Sequence, residues 1–188
     1  MNKETRMLNV EFRTIDNEED KMIIEGYPIT FESPASHFGM TEVIDRNALN
    51  NTDMTDVPLK YNHDDSHLIM ARTRNGSLKL EVDSIGLKMT AELIDTQSNR
   101  DIYKSIKAGL LDKMSFAFTT KNESYDFETD KRTILEIDKL YDVSVVDVPF
   151  YDSTSVFARS LDNSEDYFKN KQSEKLEKAK ENLLAKIG

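Results

Sequence analysis

The chain contains no cysteine and no tryptophan among its 188 residues, and only six glycines, four prolines and three histidines. The lack of cysteine excludes disulfide bonds and a thiol nucleophile. No stretch approaches the roughly 18 consecutive apolar residues of a membrane-spanning helix. The first residues, 1–6, also lack the apolar core of a secretory signal. These absences predict an intracellular soluble protein.

Acidic residues outnumber basic ones, 35 against 25, so the formal net charge is −10. This balance argues against binding nucleic acid through its phosphates. Residues 160–188 contain six lysines and six acidic residues, so the whole negative excess lies in residues 1–159. An acidic surface that aids solubility explains the charge. An acidic face that docks a basic partner is the alternative interpretation.

Alternating apolar and polar residues predict that most of the chain forms short β-strands. The clearest pattern lies in residues 77–94, where two alternating runs flank the turn at residues 84–86 and predict a hairpin. Short strands separated by turns favour a closed barrel or a sandwich of about seven strands. The predicted strands cover residues 8–12, 22–27, 57–61, 77–82, 87–94, 114–119, 133–137 and 142–148.

Two helices are predicted in the first 159 residues. The longer covers residues 97–108, with Thr96 as its N-cap and Gly109 closing it in the left-handed conformation. A shorter helix is predicted at 43–49, and residues 31–42 are predicted to form a loop.

The end of the chain has a different character. Residues 165–187 read as a charged helix with a narrow apolar stripe, which fits packing on the domain, self-association or binding of a scaffold helix. We therefore divide the chain into a β domain at 1–159 and a charged helical tail at 160–188.

Three segments contain residues that could take part in catalysis. Ser115 interrupts an apolar strand in which Met114 and Phe116 point to the core, while small residues on the other face leave room around the hydroxyl. His63 lies in a polar corner. Asp142 lies within a valine-rich strand, where a carboxylate either faces water at an edge or meets a compensating donor. A nucleophile, a base and an orienting acid are the requirements of acyl transfer, so the residues favour a serine hydrolase.

Two other functions remain open on the residues alone. His63 and His67 have the spacing of a helical zinc site, which suggests a metal-dependent hydrolase, although the segment is turn-like. The chain also fits a non-enzymatic β-barrel assembly or scaffolding protein, in which Ser115 and His63 are incidental.

Four motifs, in their order and spacing, resemble the prohead maturation proteases of tailed bacteriophages, a family related to the herpesvirus assemblins. The resemblance covers about residues 8–159. The motifs are Asn62-His63-Asp64, Gly86-Leu87, Ile106–Gly109 with Met114–Phe118, and Leu140–Val146 followed by Pro149.

The resemblance implies an α+β fold, mostly β with flanking helices, built on a closed or partly closed antiparallel barrel of about seven strands plus the C-terminal helix. It implies a serine endopeptidase with Ser115 as nucleophile and His63 as general base. Asp142 stands where the family more often has Glu, and His67 is the alternative third member. No cofactor and no metal are implied.

The resemblance also implies partners and a location. The expected partners are the major capsid protein with its scaffolding segment and a second copy of the chain, with no nucleic acid and no membrane. The expected location is the immature procapsid in the host cytoplasm. The oxyanion donors are expected near the nucleophile or in the turn at residues 148–153.

Overall fold

A computed structural model of the chain describes residues 3–8, 12–15, 21–37 and 40–147. Within these ranges the chain forms eleven β-strands in two sheets and one α-helix. The strands are β1 (Lys3–Leu8), β2 (Phe12–Ile15), β3 (Met22–Thr30), β4 (Ala35–His37), β5 (Met40–Ile44), β6 (Pro58–Tyr61), β7 (Ala71–Arg72), β8 (Leu78–Val82), β9 (Gly86–Leu93), β10 (Lys113–Asp126) and β11 (Lys131–Val146), and the helix is α1 (Gln97–Lys107).

The larger sheet is organised around its longest strand, β11. One edge of β11 pairs antiparallel with β10, and β10 in turn pairs antiparallel with β1. The other edge pairs in parallel with β5 over residues 131–134 and with β6 over residues 143–145. β4 and β7 extend the sheet by pairing with β5 and β6. The long central strand therefore brings β6 and β10 to its two edges at the same level.

The smaller sheet is antiparallel, in the order β2-β3-β9-β8. It contains the predicted hairpin of β8 and β9. β3, which contains the strand predicted at 22–27, pairs with β2, so only Phe12 of the strand predicted at 8–12 takes part in this pairing. The first residue of β9 is Gly86, and only glycine fits there because a Cβ atom would lie 2.0 Å from the carbonyl oxygen of Ile29.

Helix α1 follows its predicted boundaries closely. The Thr96 hydroxyl accepts a hydrogen bond from the Asn99 amide at 3.2 Å, and Gly109 has a φ of +73°. The cap residue and the left-handed glycine are thus the physical stops that the sequence indicated. In the part of the chain that the structure describes, no helix has the length and apolar character needed to cross a membrane.

Four predictions of local structure differ from the structure. The helix predicted at 43–49 is wrong, because β5 runs to Ile44 and a turn follows. The loop predicted at 31–42 contains β4 and the start of β5. The segments 133–137 and 142–148 were predicted as separate strands, but residues 131–146 form the single strand β11. The expectation of antiparallel pairing is wrong where β5 and β6 meet β11.

Two larger predictions stay open. The described strands pair into two sheets, so the mostly β, α+β class is confirmed, whereas the closed barrel is not. The tail at 160–188 lies outside the described residues, and the division of the chain at residue 159 stays a prediction.

One hydrophobic core joins both sheets to the helix. Phe116 and Phe118 of β10, Met89 of β9 and Ile24 of β3 are fully buried in it, and Ile106 of α1 packs against the same cluster. Alternate β10 residues therefore face this core, as the sequence pattern predicted. On the opposite face, the room that small residues were predicted to leave around the Ser115 hydroxyl is occupied by other groups, and Ser115 is also fully buried.

A buried arginine ties β1 to the large sheet. Arg132 of β11 is 1% exposed, and its guanidinium lies 2.6 Å from Glu4, 2.7 Å from Glu42 and 2.7 Å from Glu123. Burial alone would raise the pKa of Glu4, but hydrogen bonding and charge from Arg132 and Arg6 hold it at about 2. This carboxylate therefore stabilises the fold above its ordinary pKa of 4.5, and the contribution is lost as the pH falls towards about 2.

We predict that Arg132→Met lowers the free energy of unfolding by about 3–5 kcal/mol, because it leaves buried carboxylates without their cation. Urea denaturation at neutral pH measures the change. Arg100→Met is the matched control, since Arg100 forms an ion pair on the surface of α1 with Asp95 and such pairs contribute only about 0–1 kcal/mol. Equal stability of the two variants would contradict a structural role for the Arg132 cluster.

Candidate active site

The pairing of β10 with β11 places Ser115 and Asp142 on the same face of the sheet. Ser115 lies opposite Ser144, and Ala117 lies opposite Asp142. Directly opposed residues share a face in an antiparallel pair, and so do residues two apart along a strand. Two residues separated by 27 positions in the sequence therefore become neighbours across one ladder.

β6 delivers His63 to this face. Tyr61 at the end of β6 pairs with Val145 of β11, and the chain then reverses in a tight turn closed by a hydrogen bond from the Asp64 amide to the Tyr61 carbonyl (3.0 Å). Asn62 and His63 have φ values of +53° and +55°, which correspond to the central residues of a type I′ turn. This conformation is costly for a histidine, and it turns the imidazole back over the sheet.

The His63 imidazole bridges Ser115 and Asp142. Its Nε2 atom lies 2.6 Å from Ser115 Oγ, and its Nδ1 atom is hydrogen-bonded to Asp142 Oδ1. A carboxylate only accepts hydrogen bonds, so the proton between these two groups lies on Nδ1, and Nε2 of the neutral ring is free to accept from the hydroxyl. The structure thus brings together all three residues that the sequence singled out.

The Asp142 carboxylate is fully buried but remains charged. Burial, the largest influence, raises its pKa, but the hydrogen bond and charge of His63 together with nearby lysines lower the pKa below its ordinary value. Lys3 Nζ lies 3.3 Å and Lys60 Nζ 4.0 Å from Asp142 Oδ2. An ionised Asp142 can fix the imidazole and stabilise an imidazolium.

Ser144 is part of this arrangement, and the sequence analysis missed it. Its buried hydroxyl donates to Asp142 Oδ1 (3.1 Å), lies 3.1 Å from His63 Nδ1 and accepts from the His63 main-chain amide (3.3 Å). It therefore contacts both the acid and the strained turn that carries the base. The available signal was its position two residues after Asp142, which puts both side chains on one face. No local feature of the sequence indicates that Lys3 and Lys60 lie beside Asp142.

The alternative roles of His67 have no support in the geometry. Its Nδ1 atom is hydrogen-bonded to Asp64 Oδ2 at 3.0 Å, and the carboxylate bonded to His63 Nδ1 is that of Asp142. Residues 62–70 form turns and extended segments, so the helical spacing needed for a zinc site is not formed. Among the described residues, no group of three or more His, Cys, Asp or Glu side chains is arranged to hold a metal ion.

The ordered hydroxyl, imidazole and carboxylate are the constellation of a serine hydrolase. Residues 8–167 match the family of caudovirus prohead serine proteases. Because this match covers most of the chain, the chain belongs to that family and is a serine peptidase. The family that the sequence motifs resemble is thereby confirmed, and the non-enzymatic alternative is set aside.

The chain was also compared with solved structures and with curated proteins. The fold is similar to the structure of the bacteriophage T4 capsid assembly protease, gp21, at 14% sequence identity and a TM-score of 0.47, covering 76% of this chain and 98% of that chain. A search of the curated proteins finds no match.

We predict that Ser144→Ala lowers kcat for peptide cleavage about tenfold or more and leaves KM within about twofold, because hydrogen bonds to charged groups contribute about 1.5–3 kcal/mol. Steady-state kinetics at several pH values measure the effect. Ser105→Ala, which removes a half-buried hydroxyl of α1 that donates to the Asp101 carbonyl, is the control. A Ser144 variant with the parent's kcat would show that His63 and Asp142 hold their positions without it.

Proposed function

We propose that Ser115, His63 and Asp142 form the catalytic triad of this prohead serine protease. The observation that supports the proposal is the imidazole within hydrogen-bonding distance of both the hydroxyl and the carboxylate. Few other arrangements explain why a chain would bury a charged acid, strain a histidine backbone and align both with one serine.

The chemistry follows from these contacts. Ser115 Oγ attacks the carbonyl carbon of a peptide bond while its proton passes to His63 Nε2. Asp142 stabilises the imidazolium, which then delivers the proton to the departing amine. A water molecule, activated by the same imidazole, releases the acyl group from Ser115 and restores the enzyme. The oxyanion requires backbone donors, and the turn at residues 148–153 that we expect to supply some of them lies outside the described residues.

We propose that the substrates are the major capsid protein with its scaffolding segment and the protease chain itself. The support is the family, whose description refers to the prohead, the immature shell in which such cleavage would act. The proposed protease acts as a homodimer inside the procapsid, within the infected host cell. It binds neither nucleic acid nor a membrane.

Co-expression of the chain with its capsid protein tests this function. We expect intact-mass analysis to show shortened capsid protein with the native chain and full-length capsid protein with Ser115→Ala. The matched control is Ser124→Ala, the same substitution at an exposed position of the same strand, which we expect to leave cleavage unchanged. Identical capsid masses in all three cultures, under conditions that build shells, would contradict the proposal.

A further inference from the structure

The Ser115 hydroxyl is covered by the first strand of the chain. β1 pairs with residues 114–119 of β10, with Met7 opposite Ser115 and Arg6 opposite Phe116. Ser115 Oγ lies 2.7 Å from the main-chain carbonyl oxygen of Arg6 and donates to it. Since Ser115 is fully buried, a substrate carbonyl cannot reach the hydroxyl while β1 occupies this place.

The edge of β10 that β1 occupies is suited to an extended peptide. The opposite edge of β10 is taken by β11, and in the described residues β1 pairs with β10 alone and ends the sheet. A peptide added to a sheet edge gains main-chain hydrogen bonds and a fixed register. β1 stands in for such a peptide. Its pairing with β10 places the main-chain carbonyl of Arg6 at Ser115 Oγ, where a substrate carbonyl would lie.

The contact with β1 also offers the Ser115 proton a second acceptor beside the base. The Ser115 hydroxyl has one proton, and two acceptors lie within reach, the Arg6 carbonyl and His63 Nε2. When the proton is donated to the carbonyl, it is not available to the imidazole, and the serine is not activated. The docked strand therefore blocks the β10 edge and competes with His63 for the Ser115 proton.

Ion pairs attach the described side chains of β1 to the sheet. Arg6 contacts Glu42, Glu4 contacts Arg132, and Lys3 contacts Asp142, and none of residues 3–6 is fully buried. Glu4 and Arg6 add one anion and one cation to the cluster around Arg132, so release of β1 leaves the net charge of that cluster unchanged. Each pair has its more exposed member on β1, so added salt screens the attachment in part.

We infer that the β10 edge beneath β1 is the surface that binds the substrate as an extended antiparallel peptide, and that β1 is an internal occupant which the substrate displaces. The inference rests on the proposed function, because it takes Ser115 as the nucleophile. Docked β1 holds the protease inactive, and its release opens the edge.

A reversible cross-link tests whether β1 has to leave. Thr5 lies opposite Ala117, a separation that a disulfide spans, and the native chain has no cysteine to interfere. We expect the oxidised Thr5→Cys, Ala117→Cys protein to cleave the capsid protein at least about tenfold more slowly than the same protein after reduction, because the lock removes the open state. Thr5→Cys alone is the control and is expected to be insensitive to reduction. Equal rates in the oxidised and reduced forms would overturn the inference and leave the proposed function standing.

Hydrogen exchange of the native chain tests whether β1 is released from the β10 edge, and it requires no measurement of peptidase activity. If β1 is a releasable occupant, the amides of residues 3–8 exchange much faster than those of residues 140–146, and their protection falls between about 50 mM and about 500 mM NaCl. Equally slow exchange of both segments at both salt concentrations would make β1 a permanent part of the sheet and overturn the inference. This result stands even if the double variant, or the native chain, cleaves nothing.

Discussion

The parallel pairing of β6 with the last third of β11 is the constraint on which the site depends. Three residue pairs fix it, and the last one joins Tyr61 to Val145. The turn that carries His63 begins directly after this pair, so its position over Ser144 and Asp142 is set by main-chain register. A slip of one residue would move alternate side chains to the opposite face and separate the imidazole from the hydroxyl and the carboxylate.

This arrangement places charge where a protein interior usually excludes it. Asp142 has no exposed surface, yet its carboxylate meets the His63 ring, the Ser144 hydroxyl and two lysine ammonium groups. Lys3 belongs to β1, so the strand that covers Ser115 also supplies one of the cations beside Asp142. Release of β1 would remove this cation and leave Lys60 as the nearest ammonium group, which couples access to the site with its electrostatics.

The sequence predicted the features that local chemistry determines. The Thr96 cap and Gly109 marked the ends of α1, alternation marked the hairpin of β8 and β9, and an acid among valines at Asp142 signalled a hidden partner. It missed what depends on long-range pairing. The parallel partners of β11 are remote in sequence, and nothing near Ser115 indicates that Arg6, 109 residues away, would cover it. The end of β5 and the turn after it were mistaken for a helix at 43–49, because a short apolar run fits either period.

The tautomer of His63 tests the central claim, that one imidazole joins the hydroxyl to the carboxylate. Nitrogen-15 NMR of the histidine-labelled chain, at a pH where the imidazole is neutral, distinguishes a ring protonated at Nδ1 from one protonated at Nε2. We predict that His63 carries its proton on Nδ1, that Asp142→Asn abolishes this preference, and that Asp138→Asn, at an exposed position of the same strand, does not. A His63 ring protonated on Nε2, or one that is indifferent to Asp142→Asn, would contradict the account.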